Sequence, residues 1–260
     1  MKKVVNIFII AIVGGIAMAG CSQPNKLLVN HQVTGLDTNC YLLYDTKTKE
    51  AALFDVGGPI DTLLKVIEQK KLTVKYLFCT HGHGDHVVGL PDIINKFPDA
   101  ILCIHKQDYE DLYVVGEWAV EYLGQETIGE WIKEMPFFKN VVNFDPDRLG
   151  QPDIFLEDNM TFNLGEFEIK TIYTPGHSPG GICFFVENML FSGDVLFYRK
   201  TGRTDMLNGS REDIIQSVQN LFKTLPDETI VYPGHYDFTD IESEKYENEH
   251  IRLDTVLFSD

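Results

Sequence analysis

The chain has 260 residues, of which 44% are apolar, 12% aromatic and 23% charged. That excludes wholesale disorder and is enough to bury the core of a large globular domain. Asp and Glu outnumber Lys and Arg by 39 to 22, a net charge of −17, so the surface repels phosphate backbones and no nucleic-acid partner is expected.

Residues 1–20 read as an export signal. Lys2 and Lys3 form a basic start, Val4 to Ile16 is apolar apart from Asn6, and small residues lead to Cys21. Met18-Ala19-Gly20-Cys21 is similar to the lipobox of bacterial lipoproteins, with Met18 where Leu is usual. The resemblance implies that residues 1–20 are removed and Cys21 is acylated. Residues 21–26 would then tether a domain over 27–260 to a bacterial membrane surface, on the periplasmic or outer side. The remaining cysteines, Cys40, Cys79, Cys103 and Cys183, lie in apolar runs and are expected to be buried thiols, although an exported protein could pair them.

Leu27 to Val33, Cys40 to Tyr44 and Ala51 to Val56 read as an antiparallel meander, separated by turn residues. Pro59 opens a helix with Leu63, Leu64 and Ile67 on its apolar face, and Val74 to Cys79 is a buried strand. Residues 105–150 are rich in aromatics and predict two or three short helices, a local core or a cover over a pocket. Further strands are expected at Met160 to Leu164, Phe167 to Tyr173, Ile182 to Val186, Met189 to Ser192 and Thr229 to Tyr232. Ser210 with Asp213 resembles a capping box and starts a helix carrying Ile214, Val218, Leu221 and Phe222. Asp240 to Ile251 predicts a polar terminal helix. This order fits two stacked sheets with helices outside.

Three of the eight histidines fall in Thr80-His81-Gly82-His83-Gly84-Asp85-His86, just past an apolar strand. On an extended loop, residues two apart point the same way, so His81 and His83 can converge on one ion. Asp85 and His86 lie where the chain bends into a helix and can address a neighbouring ion. Gly82 and Gly84 are expected to permit tight dihedrals and leave room. His177, Asp194 and His235 each sit in a Gly-containing loop where another apolar strand stops. Five His and two Asp exceed the needs of one ion, so two divalent cations are expected, zinc first, with iron or manganese also suited to these donors. Asp194 is the natural bridge. His31, His105 and His250 lack flanking ligands and are expected to be structural.

The run Thr80 to His86, followed in order by His177, Asp194 and His235, resembles the metallo-β-lactamase fold superfamily, most closely its glyoxalase II-like hydrolases. The resemblance implies an αββα four-layer sandwich with the site along one edge of the sheets. It also implies a first metal on His81, His83 and His177, a second on Asp85, His86 and His235, and Asp194 between them. True β-lactamases of this fold carry Cys or Ser at the position of Asp194, which points away from β-lactams. The chain ends at Asp260, soon after His235, without the helical domain that helps full glyoxalase II enzymes bind glutathione, which points away from glutathione thioesters. Phe191 to Phe197 followed by Gly202-Arg203-Thr204-Asp205 is also similar to persulfide dioxygenases, and Arg203 and Asp205 can pair beside the bridging loop.

The function expected is hydrolysis of an ester, thioester or lactone in a small molecule by a metal-bridging hydroxide, with Asp85 orienting it or taking its proton. One alternative is an iron oxygenase using His81, His177 and Asp194 alone. Another is a metal-binding surface lipoprotein without catalysis.

Overall fold

In the computed structural model, which describes residues 26–251, the expected meander is formed by β1 (Leu27–Thr34), β2 (Thr38–Asp45) and β3 (Glu50–Phe54). The export signal and the Cys21 lipidation site lie outside the described residues. Helix α1 (Asp61–Lys70) buries Leu63 and Ile67, four residues apart on one face, and carries Asp61 in its first turn and Lys70 in its last. It stops because Lys71 turns left-handed, at φ 55°, and its N–H bonds back to Glu68 and Ile67.

The chain then enters β4 (Thr73–Phe78), parallel to β3. Two short helices, α2 (Gly84–Val87) and α3 (Leu90–Lys96), lead to β5 (Ile101–His105), a strand the sequence reading passed over. Its apolar run Ile101-Leu102-Cys103-Ile104 was the available signal. The segment 105–150 holds more helix than expected: α4 (Lys106–Asp111), α5 (Val115–Leu123), α6 (Gln125–Glu134), α7 (Phe138–Val142) and a 3₁₀ turn at Pro146–Leu149. The strand β6 (Ile154–Leu156) closes a six-stranded sheet in the order β1-β2-β3-β4-β5-β6.

A second six-stranded sheet takes β7 (Thr161–Leu164), β8 (Phe167–Tyr173), β9 (Ile182–Val186) and β10 (Met189–Gly193). A hairpin of β11 (Leu196–Phe197) and β12 (Lys200–Thr201) follows, then α8 (Arg211–Thr224), β13 (Ile230–Pro233), β14 (Thr239–Asp240) and α9 (Ile241–Glu247). The sheet order is β14-β13-β10-β9-β8-β7. The terminal helix is shorter than expected. The Asn248 carboxamide accepts the N–H groups of His250 and Ile251, turning the chain out of the helix.

Period-two alternation sorts the strands into layers. Tyr41, Leu43, Ala52, Phe54, Tyr76 and Phe78 face Phe162, Ile169, Phe184, Phe191 and Tyr232 between the sheets. The intervening residues Cys40, Leu42, Leu53 and Leu77 face α1 and α3, and Leu190 and Val231 face α8. The result is the expected four-layer sandwich. Four buried cysteines, Cys40, Cys79, Cys103 and Cys183, are free thiols. No helix among the described residues is long and apolar enough to cross a membrane.

Candidate metal centre

Strand direction gathers the site. Strands β8 and β10 are both antiparallel to β9, and β10 is parallel to β13. The three therefore end on one side of their sheet, followed by the loops of His177, Asp194 and His235. In the other sheet β3 and β4 are parallel, so Asp55 and the run Thr80 to His86 follow their ends together. Asp85 and His86 lie in α2, as the bend at Gly84 implied.

The seven expected residues come together. Donor atoms of His81, His83 and His177 lie within 4.8 Å of one another, and so do those of Asp85, His86 and His235. Asp194 lies between the two sets. Its Oδ1 is 3.4 Å from His86 Nε2, and its Oδ2 is 3.4 Å from His177 Nε2 and 3.5 Å from His235 Nε2. Gly234 makes room, since a Cβ there would sit 2.2 Å from Asp194 Oδ1. Gly82 and Gly84 act differently from expectation. Neither has a positive φ. What they permit is close approach, because a Cβ at Gly82 would lie 2.4 Å from the Asp108 carbonyl oxygen and one at Gly84 2.6 Å from Val141.

Hydrogen bonds select the ring atom that faces the centre. His177 Nδ1 donates to the Arg203 carbonyl at 2.7 Å and His235 Nδ1 to the Asp37 carbonyl at 3.1 Å. His86 Nδ1 faces Asp55 at 3.1 Å. His81 Nδ1 donates to Thr80 Oγ1, whose own hydroxyl is given to Asp55. The rings of His81, His177 and His235 are thereby left with Nε2 facing inward as the free acceptor of the neutral tautomer, and His86 would present the same atom once its Nε2 proton is lost. His83 differs, presenting Nδ1 at 2.8 Å from His177 Nε2.

Burial and charge set protonation. Burial and the surrounding imidazoles hold His81 well below the usual histidine range. Burial and His177 lower His83 to about 3. Burial lowers His177 to about 4 despite its bond to the Arg203 carbonyl. Burial also disfavours a charged His86, but Asp194, Asp85 and Asp55 outweigh it and raise the ring to about 10. His235 is raised by Asp194 and Asp85 against burial. Asp85 is held below the usual carboxylate range, the charges of His86 and His235 overcoming burial.

His81 Nε2 and Asp194 Oδ1 are buried without a hydrogen-bond partner among the described residues. Such atoms are costly unless something binds them. Both point among imidazole nitrogens and carboxylate oxygens, the donor set that zinc, iron and manganese accept. The residues present fit a pair of divalent cations.

Two supporting carboxylates escaped the sequence reading. Asp55, 2% exposed, accepts Thr80 N–H at 2.8 Å and Thr80 Oγ1 at 2.7 Å besides His86. Asp108, 1% exposed, is lifted to about 6 by burial. The available signal for Asp55 was an acid ending an apolar strand; Asp108 gave none, being one of several acids on a polar helix. The other histidines take the structural roles expected. His31 bonds Asn39, His105 caps α4, and His250 accepts from Thr201. Arg203 and Asp205 pair through two bonds of 2.6 and 2.7 Å at the surface.

The centre opens into a cleft of about 1350 Å³, whose wall includes Met135, Phe197, Lys200 and Tyr236. Met135, following α6, brings the segment 105–150 to the cleft, and Val141 of α7 packs on Gly84 beneath it.

The family model for the metallo-beta-lactamase superfamily matches residues 33–235. The hydroxyacylglutathione hydrolase GloC of Haemophilus influenzae is 32% identical over 218 residues, 83% of this chain and 93% of that protein. The crystal structure of the BLEG-1 B3 metallo-beta-lactamase matches with a TM-score of 0.67 and 28% identity, over 85% of this chain and 98% of that one. ETHE1 from Myxococcus xanthus matches with a TM-score of 0.64 and 25% identity, over 85% and 83%.

Proposed function

Because this chain belongs to the metallo-beta-lactamase superfamily, we propose that it is a binuclear metal-dependent hydrolase of an ester, thioester or lactone bond in a small molecule. The observation that carries the proposal is the pairing of two donor triplets around Asp194, with His81 Nε2 and Asp194 Oδ1 buried and unpartnered among the described residues. His81, His83 and His177 would hold one cation, Asp85, His86 and His235 the other, and Asp194 would join them. Bound there, divalent cations supply an acidified water at neutral pH and polarise a substrate carbonyl.

The chain's own residues complete the chemistry. Asp85 is ionised and acceptor-only, and Thr38 Oγ1 donates to its Oδ2 at 3.2 Å, fixing its rotamer. It is the group placed to take a proton from the attacking water. The Nδ1–H bonds of His81, His177 and His235 hold those rings in the neutral tautomer that a cation requires. Phe197 and Tyr236 offer an apolar wall for the rest of the substrate.

A hydroxyacyl thioester is the first substrate to assay, in place of the sequence-based expectation that pointed away from glutathione thioesters. GloC aligns over 93% of its own length, so this chain matches a relative that is named for that activity. Metal analysis of natively purified protein, followed by assay on thioesters, aryl esters, lactones and a β-lactam, tests the reading. Two equivalents of zinc, iron or manganese with hydrolysis of at least one substrate support it. A single iron with oxygen uptake on a persulfide replaces it with the oxygenase, and metal without turnover of any substrate leaves only a binding protein. We also propose that Cys21 is lipidated and the domain exported; palmitate labelling that survives Cys21→Ala would sink that part.

A further inference from the structure

We infer that Asp108 is a positioning residue that holds the His81, His83 and His177 triplet in cation-binding geometry by clamping its two loops together. The inference rests on the reading that this triplet binds a cation.

The clamp is direct. Asp108 Oδ2 accepts the Gly82 N–H at 2.8 Å, and Gly82 is the residue between His81 and His83. The same oxygen accepts Ser178 Oγ at 2.7 Å, and Ser178 follows His177. Oδ1 accepts the Gly180 N–H at 2.5 Å, further along the His177 loop. One carboxylate thus ties the loop after β4 in one sheet to the loop after β8 in the other.

The sequence at both ends of the clamp is fitted to it. A Cβ at Gly180 would lie 2.5 Å from Asp108 Oδ1, and one at Gly82 would lie 2.4 Å from the Asp108 carbonyl oxygen. Only a residue without a side chain admits the acid at either point. Asp108 is 1% exposed and has no cationic side chain within salt-bridge distance among the described residues. A buried carboxylate without a cation is disfavoured unless hydrogen bonds compensate its lost hydration, and these three bonds do so. Here the donors are the backbone and hydroxyl groups that flank the three histidines. None of the three bonds reaches the Asp85, His86 and His235 triplet, so the effect of losing them is specific to one site.

Cadmium-113 resonances of the full-length protein read the two sites separately. Wild type is expected to give two resonances, and His235→Ala identifies the one that belongs to the His81 triplet by retaining it. Asp108→Ala should lose or broaden that resonance while keeping the other, with metal affinity at the triplet at least tenfold weaker. Asp108→Asn, which keeps one acceptor oxygen, should restore part of the affinity, and Ser178→Ala should weaken the triplet less than Asp108→Ala. Should Asp108→Ala fail to fold, the Asn and Ser178 variants carry the same site-selective comparison. Equal weakening at both sites, or wild-type affinity at the triplet in both Asp108→Asn and Ser178→Ala, overturns the inference. A wild-type chain that takes up no cadmium or zinc sinks the metal reading beneath it, a distinct result.

Discussion

Asp55 offers the sharpest test of how the centre is supported. Its carboxylate is buried and accepts Thr80 N–H, Thr80 Oγ1 and His86 Nδ1. Asp55→Ala leaves three donors without an acceptor in the interior. A buried unsatisfied group costs about 1–3 kcal/mol, and groups in one network do not add independently, so the expected loss of apo-protein stability is roughly 3–5 kcal/mol. Asp55→Asn is the more telling change. Its amide can present N–H where the carboxylate accepted, and a donor facing His86 Nδ1 forces the ring proton onto Nε2. That removes the Nε2 lone pair that His86 would offer a cation after losing its second proton. Zinc affinity should then fall about 10–100-fold, hardest at the His86 site. Urea unfolding of apo protein and zinc competition with a chromophoric chelator read the two effects. Wild-type zinc affinity at both sites in Asp55→Asn would refute the orienting role of Asp55.

Three further outcomes are expected. Asp194→Ala should abolish hydrolysis and reduce bound metal while leaving the far-ultraviolet spectrum unchanged, and an active, fully metallated variant would exclude the bridge. Phe54→Ala should cost about 3–5 kcal/mol in urea unfolding, since the fully buried ring stacks on Phe191 at 4.1 Å and meets Phe184 at 5.3 Å; a loss under about 1 kcal/mol would mean that the core refills. Zinc binding should respond to pH differently at the two sites. His83 at about 3 and His177 at about 4 are unprotonated at neutral pH, so their site keeps its affinity as pH falls towards 5. His86, raised to about 10, must lose a proton to bind, so its site weakens about tenfold per pH unit lost below that value. Zinc stoichiometry titrated between pH 8 and 5 should drop from two to one, and simultaneous loss of both ions would contradict it.

The candidate metal-holding residues were legible because each lies in the loop or bend that follows an apolar strand. An apolar run followed by Gly and His or Asp marks both the element and the point where it stops, so His81, His83, Asp85, His86, His177, Asp194 and His235 could be placed from spacing alone. The layer order followed from the same runs. What could not be read was support by residues whose neighbours in space are distant in sequence. Asp108 shares its short helix with Glu110 and Asp111, and only the folded chain reveals that it reaches both Gly82 and Gly180. β5 is a short run that leaves the Pro98-Asp99 turn and passes directly into α4, so little alternation marks it as a strand. Four helices over 105–150 were compressed into two or three, since aromatic residues there pack on one another and on the loops rather than repeating at one helical face.

The position of the centre follows from how the two sheets are held apart. Asp55 comes directly after Phe54 on the first sheet, and Asp194 comes three residues after Phe191 on the second. The rings of Phe54 and Phe191 are nearly parallel, 4° apart, at 4.1 Å. A close-packed interior resists change in that separation, so the stack fixes the spacing between the carboxylate that orients His86 and the carboxylate that touches both triplets. Asp108, itself buried, adds a second link between the sheets, tying the loop after β4 to the loop after β8. Two supports of different chemistry, one apolar and one hydrogen-bonded, therefore join the two sheets near the centre. Loss of the stack should weaken the whole sandwich, since Phe54 and Phe191 belong to the core between the sheets, whereas loss of the Asp108 bonds should disturb the centre first, because they join loops rather than paired strands.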